Sequence, residues 1–144
     1  METMSEYLIN GVAGTLAYFV LAAVILVVGF VILDLITPGK LHELVFVHHL
    51  PNAAVITVAQ QVSIGIIVVT AVLTSSDNLT QGLIETAVFG VLGLVIQVIV
   101  MALLEVFTPG RFRDLVEDPK LRSGAVVASV LLVVVGAVNA ACLV

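Results

Sequence analysis

Four long runs without a charged side chain limit what this chain can become. Residues 7–33, 53–76 and 123–144 contain no Asp, Glu, Lys or Arg, and residues 86–104 lie uncharged between Glu85 and Glu105. A helix rises 1.5 Å per residue, so crossing the roughly 30 Å hydrocarbon core of a bilayer takes about 20 mostly apolar residues. All four runs meet that length, the third by starting near Gly82 with Glu85 at the headgroups. The chain has 144 residues, 61% of them hydrophobic and only 10% charged, against about 45–50% apolar and 25% charged in soluble domains. A soluble domain of this size hides only about 70% of its unfolded surface. That excludes a soluble enzyme, a disordered tail and a nucleic-acid binder. The expected fold is an all-α membrane protein with four transmembrane helices, forming a single domain over residues 1–144.

The first run reads as a mature span. Glu2 and Glu6 precede it in place of a basic region, and it exceeds the 7–15 apolar residues of a signal sequence. The five basic residues (Lys40, Arg111, Arg113, Lys120, Arg122) all fall in two connections, 34–51 and 105–122. The other flanks carry only Glu2, Glu6, Asp77 and Glu85. By the positive-inside rule the two basic connections face the cytoplasm of a bacterial inner membrane, with both termini and the short loop 75–81 outside. The net charge of −5 offers no polybasic surface for nucleic acid. Cys142 stands alone, so no intrachain disulfide forms, and no zinc-type Cys/His spacing exists. No cofactor and no metal are expected.

An offset of 71 residues aligns the chain with itself without gaps, 8–73 over 79–144. Asp34, Thr37, Pro38, Gly39 and Lys40 fall on Glu105, Thr108, Pro109, Gly110 and Arg111; Gly11 falls on Gly82 and Gly65 on Gly136. Matches among Val, Leu and Ile are cheap, but Thr-Pro-Gly-cation in register with an acid three residues earlier is not. Each unit is a helix, a cytoplasmic connection and a second helix. Two spans per unit insert both units the same way up, as a parallel repeat about an axis along the membrane normal.

Thr37 and Thr108 read as helix caps, with Pro38 and Pro109 at the first helical position and each Pro ending the span before it. Leu41, Leu44 and Val45, and likewise Phe112, Leu115 and Val116, recur at i, i+3, i+4. Both sets predict short amphipathic helices in the inner interface. His42, His48 and His49 lie in the first connection. They read as solvated interfacial histidines, with pH sensing and metal binding as the sharper alternatives.

Polar side chains at membrane depth are costly. Gln60, Gln61 and Ser63 in the second span, Gln97 in the third and Asn139 in the fourth form the candidate intramembrane network. Gln60 lies eight residues in from Asn52, and Gln97 eight in from Glu105, so both sit roughly 12 Å deep. They are placed to bond to each other, as interhelical glue or as the lining of a pore. Asp34 and Glu105 end the first helix of each unit. They read as acids paired to nearby cations, or as an acidic ring at a cytoplasmic cation entrance. The small-residue stripes (Gly90 and Gly93; Gly136 and Ala140) predict close helix packing and a homo-oligomer, most simply a dimer. No nucleophile–base pair or phosphate loop is present, since Thr-Pro-Gly-Lys lacks the P-loop framing, so the protein is not expected to be an enzyme.

Several segments resemble a known family. Ala17-Tyr18-Phe19 early in the first span, Thr37-Pro38 after it, Asn52-Ala53-Ala54 opening the second and Val138-Asn139-Ala140-Ala141-Cys142 near the end are similar to the YjfL-like family of small bacterial inner-membrane proteins (domain of unknown function 350). The resemblance covers nearly the whole chain, and the terminal Asn-Ala-Ala-Cys is its most specific signal. It implies a polytopic inner-membrane protein built from two-helix repeats. It also implies proximity to polyamine-synthesis-like enzymes and ATP-grasp amide ligases, and a channel-like role. The functional expectation is a small oligomeric channel or permeation element for cations or polyamines. The alternative is a non-conducting scaffold that docks a cytoplasmic enzyme through the two interfacial helices.

Overall fold

The computed structural model describes residues 3–36, 45–107, 115, 116 and 118–143. The described residues form four long helices: α1 (Met4–Ile36), α2 (Pro51–Leu73), α3 (Leu79–Phe107) and α4 (Ser123–Cys142). All four are long and apolar enough to cross a membrane, and the described residues contain no strand. The fold is all-helical, as expected.

The helix ends follow local chemistry. Pro51 opens α2 at a position where its missing N–H costs nothing, after Leu50 in extended conformation. Asn78 caps α3, its Oδ1 accepting the Gln81 N–H at 3.1 Å. That cap starts α3 at Leu79, so the outer turn is shorter than the 75–81 expected from the sequence. Glu85, one turn further on, accepts from Ser76 N (2.9 Å), Ser76 Oγ (2.7 Å) and Gln81 Nε2 (3.0 Å). The acid that delimits the third uncharged run therefore holds the outer turn together.

The helices alternate in direction. Ser63 meets Gly136 and Asn52 meets the segment before α4, so α2 and α4 run the same way. Gly14 lies by Leu79, Ile25 by Gly90 and Leu94 by Gly29, so α1 and α3 also run together. The most extensive packing is α2 on α4, followed by α2 on α3; α1 lies at the edge against α3 and α2. Only 11% of the α1 span is buried, against 44% for α2.

The core is a file of Ile56, Ile64, Val68, Leu94, Met101 and Leu132. Outside it, Leu16, Val27, Ile84, Val95, Val127 and many other large apolar side chains face outward on every helix. In water so much exposed apolar surface would aggregate; in a bilayer it is the lipid-facing coat.

The two hairpins share an orientation, but their packing lacks the expected two-fold relation. α2 buries Ile56, Gln60, Ser63 and Ile67. The positions 71 residues on, Val127, Leu131, Val134 and Val138, are exposed on α4. α4 instead buries Ala125, Ser129, Leu132, Gly136 and Asn139, a face turned by roughly 150° about the helix axis.

Candidate functional site

The polar side chains at membrane depth gather on one side of α3. Gln97 Nε2 donates to Gln60 Oε1 at 3.0 Å and to the Leu132 carbonyl at 3.3 Å. Both glutamines are fully enclosed, at 0% and 1% exposure. Ser63 Oγ lies 2.7 Å from the same Leu132 carbonyl and 2.7 Å from the Ala59 carbonyl. Leu132 can offer its oxygen because Gly136, one turn on, has no side chain. A Cβ there would come within 2.8 Å of the Ser63 Cα, and its absence lets the α2 backbone close onto α4. Asn139 Nδ2 donates to the Gly93 carbonyl at 3.2 Å. Gly93 is similarly tight: a Cβ on it would meet Ile67 and lie 3.5 Å from the Asn139 amide.

Of the five candidate network residues, Gln60, Ser63 and Gln97 meet in one layer, and Asn139 joins α4 to α3 one turn of α3 away. Gln61 does not take part. It is half-buried on another face of α2 and makes no hydrogen bond among the described residues.

Among the described residues, four buried polar atoms have no hydrogen-bond partner: Gln60 Nε2, Gln97 Oε1, Thr86 Oγ1 and Glu105 Oε1. Thr86 is 0% exposed. Thr15, Thr57 and Thr70 return their hydroxyls to the carbonyl four residues back, at 2.9, 2.7 and 2.8 Å, and Thr86 does not. Three of the four atoms belong to α3, and Gln60 meets one of them, Gln97, from α2. Thr86, Gly90, Gly93, Gln97 and Met101 are all buried, and Glu105 is half-buried. Their spacings of 4, 3, 4, 4 and 4 keep them on one helical face. From Thr86 to Glu105 that face spans roughly 28 Å, close to the hydrocarbon thickness. At its outer end lies a cleft of about 690 Å³ between α1 and the α2–α3 turn, lined by Asn10, Thr15, Tyr18, Ser75, Ser76 and Asp77 among others. Tyr18 Oη lies 3.1 Å from Ser75 Oγ and packs on Gly82, one turn before Thr86.

At the inner end, Asp34 and Glu105 occupy the last turns of α1 and α3, both half-buried. The cations expected beside them, Lys40 and Arg111, lie outside the described residues. So do Thr37, Pro38, Gly39, Thr108, Pro109 and Gly110, together with His42 and the interfacial positions Leu41 and Phe112. His48 and His49 are exposed on the approach to α2, and His49 takes a left-handed backbone at φ 52°.

One residue has a larger part than its sequence position suggested. Asn52, 0% exposed, donates through Nδ2 to the carbonyls of Leu115 (2.9 Å), Lys120 (2.9 Å) and Asp118 (3.3 Å). Its Oδ1 accepts the Arg122 N–H at 2.9 Å. The start of α2 is thereby tied to the backbone leading into α4. Beside it Asp118 accepts from Lys120 N and from Arg122 Nε at 2.7 Å. The Lys120 backbone N–H and then the Arg122 side chain hold the Asp118 carboxyl below its ordinary range.

The model of the family described as Domain of Unknown Function (DUF350) matches residues 7–143. The chain belongs to this family. A UPF0719 transmembrane protein of Mycolicibacterium paratuberculosis is 36% identical over 133 residues, 92% of this chain and 88% of that protein. A UPF0719 transmembrane protein of Mycobacterium bovis is 39% identical over 136 residues, covering 94% and 90% of the two chains. No solved structure matches this chain. The family match, the relatives and the four apolar helices together make this a multi-pass membrane protein.

Proposed function

We propose that this DUF350 protein is a small cation-permeation element of a bacterial inner membrane, with its path along the buried face of α3. The observation that carries the reading is the row of unpartnered buried atoms on that face. Within hydrocarbon each such atom costs several kcal/mol unless something polar visits it. A row of them spanning the bilayer fits transient occupation by water and a passing cation. The outer cleft, which reaches α3 at Leu79 about two turns outward of Thr86, supplies an entrance. The Gln60–Gln97 layer offers two carboxamides midway, and Glu105 adds an acid at the inner end, where a carboxylate favours cations. Met101, fully buried between Gln97 and Glu105, closes the file in this conformation. The permeant class is small inorganic cations or linear polyamines, both of which suit amide oxygens and a carboxylate.

In this reading the protein has no catalytic role and acts as a homo-oligomer, most simply a dimer. The basic connections lie in the cytoplasm and both termini outside. Purified protein in proteoliposomes is expected to pass a cation or polyamine down its gradient. Gln97→Met and Glu105→Gln should each slow that flux by about tenfold or more, equivalent to about 1.4 kcal/mol on the barrier. Folded protein that passes neither class of cation refutes the proposal. Labelling of a cysteine placed at Lys40 or Arg111 from outside intact cells refutes the orientation.

A further inference from the structure

The hydroxyl groups that line the outer cleft have no proton left to give. Thr15 Oγ1 donates to the Gly11 carbonyl at 2.9 Å, Ser75 Oγ to the Val72 carbonyl at 2.7 Å and Ser76 Oγ to Glu85 Oε1 at 2.7 Å. A hydroxyl carries one proton. Ser75 can therefore only accept at its 3.1 Å contact with Tyr18, and Tyr18 Oη spends its own proton there. All four hydroxyls show the cleft lone pairs alone. Asp77 adds a carboxylate to the lining and makes no hydrogen bond or ion pair among the described residues. Glu85, by contrast, is already met by three donors. No Lys or Arg occurs in residues 1–39 or 41–110, so no basic side chain of these segments answers Asp77. Asn10 is the one side chain of the lining with an N–H to offer.

An apolar groove of about 240 Å³ continues this cleft between α1 and α2. It shares Tyr18, Val72 and Leu73 with the cleft and adds Phe19, Ala22 and Val69. From Tyr18 to Ala22 on α1, and from Leu73 to Val69 on α2, it runs one helical turn deeper into the membrane, about 6 Å. Phe19, Val69 and Leu73 are 71%, 58% and 78% exposed, so the groove lies open to the hydrocarbon. Gly11 keeps the α1 wall of the cleft open. A Cβ built on it meets nothing within 4 Å, although glycine inside a helix is destabilising relative to alanine.

We infer that the outer cleft binds the primary-ammonium headgroup of a phospholipid, as in phosphatidylethanolamine, with an acyl chain in the groove. A primary ammonium brings three N–H donors and a positive charge to a wall of acceptors and one unpaired carboxylate. A trimethylammonium headgroup carries the charge without the N–H. A headgroup of net negative charge meets Asp77 with no cation beside it. A metal ion or a free amine makes no use of the groove. Asn10 Nδ2 is left for the phosphate ester next to the ammonium. The inference goes beyond the permeation reading and does not depend on flux. Where a cation does pass, the lipid shares the mouth of its path.

The test is native mass spectrometry of full-length protein released from bilayers of equal parts phosphatidylethanolamine, phosphatidylcholine and phosphatidylglycerol with matched acyl chains. One phosphatidylethanolamine per chain should stay bound as the other lipids strip away, with a preference of about tenfold over phosphatidylcholine. Asp77→Asn should remove most of that preference. Gly11→Leu has room within the chain, so its helicity and thermal unfolding should match the parent while the retained lipid is lost. Glycerophosphoethanolamine, the same headgroup without chains, should fail to displace the lipid at equal concentration. Equal retention of the three lipids, an Asp77→Asn protein that keeps the preference, or a folded Gly11→Leu protein that keeps the lipid each overturns the inference. Displacement by the chainless headgroup assigns the site to a free amine and overturns it as well. Protein that holds phosphatidylethanolamine but passes no cation keeps the inference and removes the permeation proposal instead.

Discussion

The contact between Gln60 and Gln97 makes an unequal pair of predictions. Gln97→Met removes two bonds, to Gln60 Oε1 and to the Leu132 carbonyl, and leaves the Gln60 amide alone in the core. An intramembrane side-chain bond is worth about 0.6–2 kcal/mol, and abandoning a buried polar partner adds about 1–3 kcal/mol. The expected loss is about 2–4 kcal/mol. Gln60→Met removes one bond and leaves Gln97 its carbonyl, so about 1–2 kcal/mol is expected. The double variant also eliminates the two unpartnered atoms, Gln60 Nε2 and Gln97 Oε1. Its loss should fall below the sum of the singles by about 1–2 kcal/mol. Reversible unfolding in mixed detergent micelles, run as a double-mutant cycle, measures that gap. Additivity within about 0.5 kcal/mol, or equal losses for the two singles, refutes the geometry. In the same proteoliposomes, unchanged flux in the double variant refutes the path along α3.

Asn52→Ala frees three carbonyls and one N–H at once, and a loss of about 2–4 kcal/mol in unfolding is expected. Trypsin should also cut faster after Lys120 and Arg122. Gly93→Ala places a methyl against Ile67 and the Asn139 amide; overpacking predicts a loss of about 1–3 kcal/mol, read from the same unfolding curves. The Asp118 carboxyl titrates lower when folded than its ordinary value of 3.8. Its contribution is thus complete above that value and disappears as pH falls through the lower folded pKa. The protection factor of the Lys120 amide, its intrinsic exchange rate divided by the observed rate at the same pH, should hold at neutral pH and fall only below about pH 4. Asp118→Asn should flatten that pH response.

Translation along a helix was legible in the sequence, and rotation about it was not. Counting residues from each inner end placed Gln60 and Gln97 at one depth, and uncharged length alone gave the four spans. The same count put Gln61 beside them, yet one residue is about 100° of helix, and Gln61 points elsewhere. A larger rotation, roughly 150° on the same count, separates the buried face of α2 from that of α4. It is set by how tightly Ser63 and Gly136 let the backbones approach, a property of the pair. Asn52 read only as a helix start, because its partners at 115–122 are distant in sequence. The Asn78–Gln81 spacing is a capping signature that was visible and implied the shorter outer turn. The Thr-Pro-Gly repeats fall outside the described residues.

The unequal helix lengths have a consequence for where such a protein can reside. α4 has 20 residues and α1 has 33, roughly 30 Å against 50 Å of helix. Both must traverse one sheet of lipid. Near the outer end of α1 Gly14 lies beside Leu79 of α3, and Tyr7, Leu8, Ile9 and Val12 beyond it are largely uncovered. A thin bilayer leaves those apolar turns facing water unless α1 leans over; a thicker one takes them in. Hydrophobic mismatch of this kind costs fractions of a kcal/mol per Å. The tilt of α1, and with it the mouth of the outer cleft, should therefore respond to acyl-chain length.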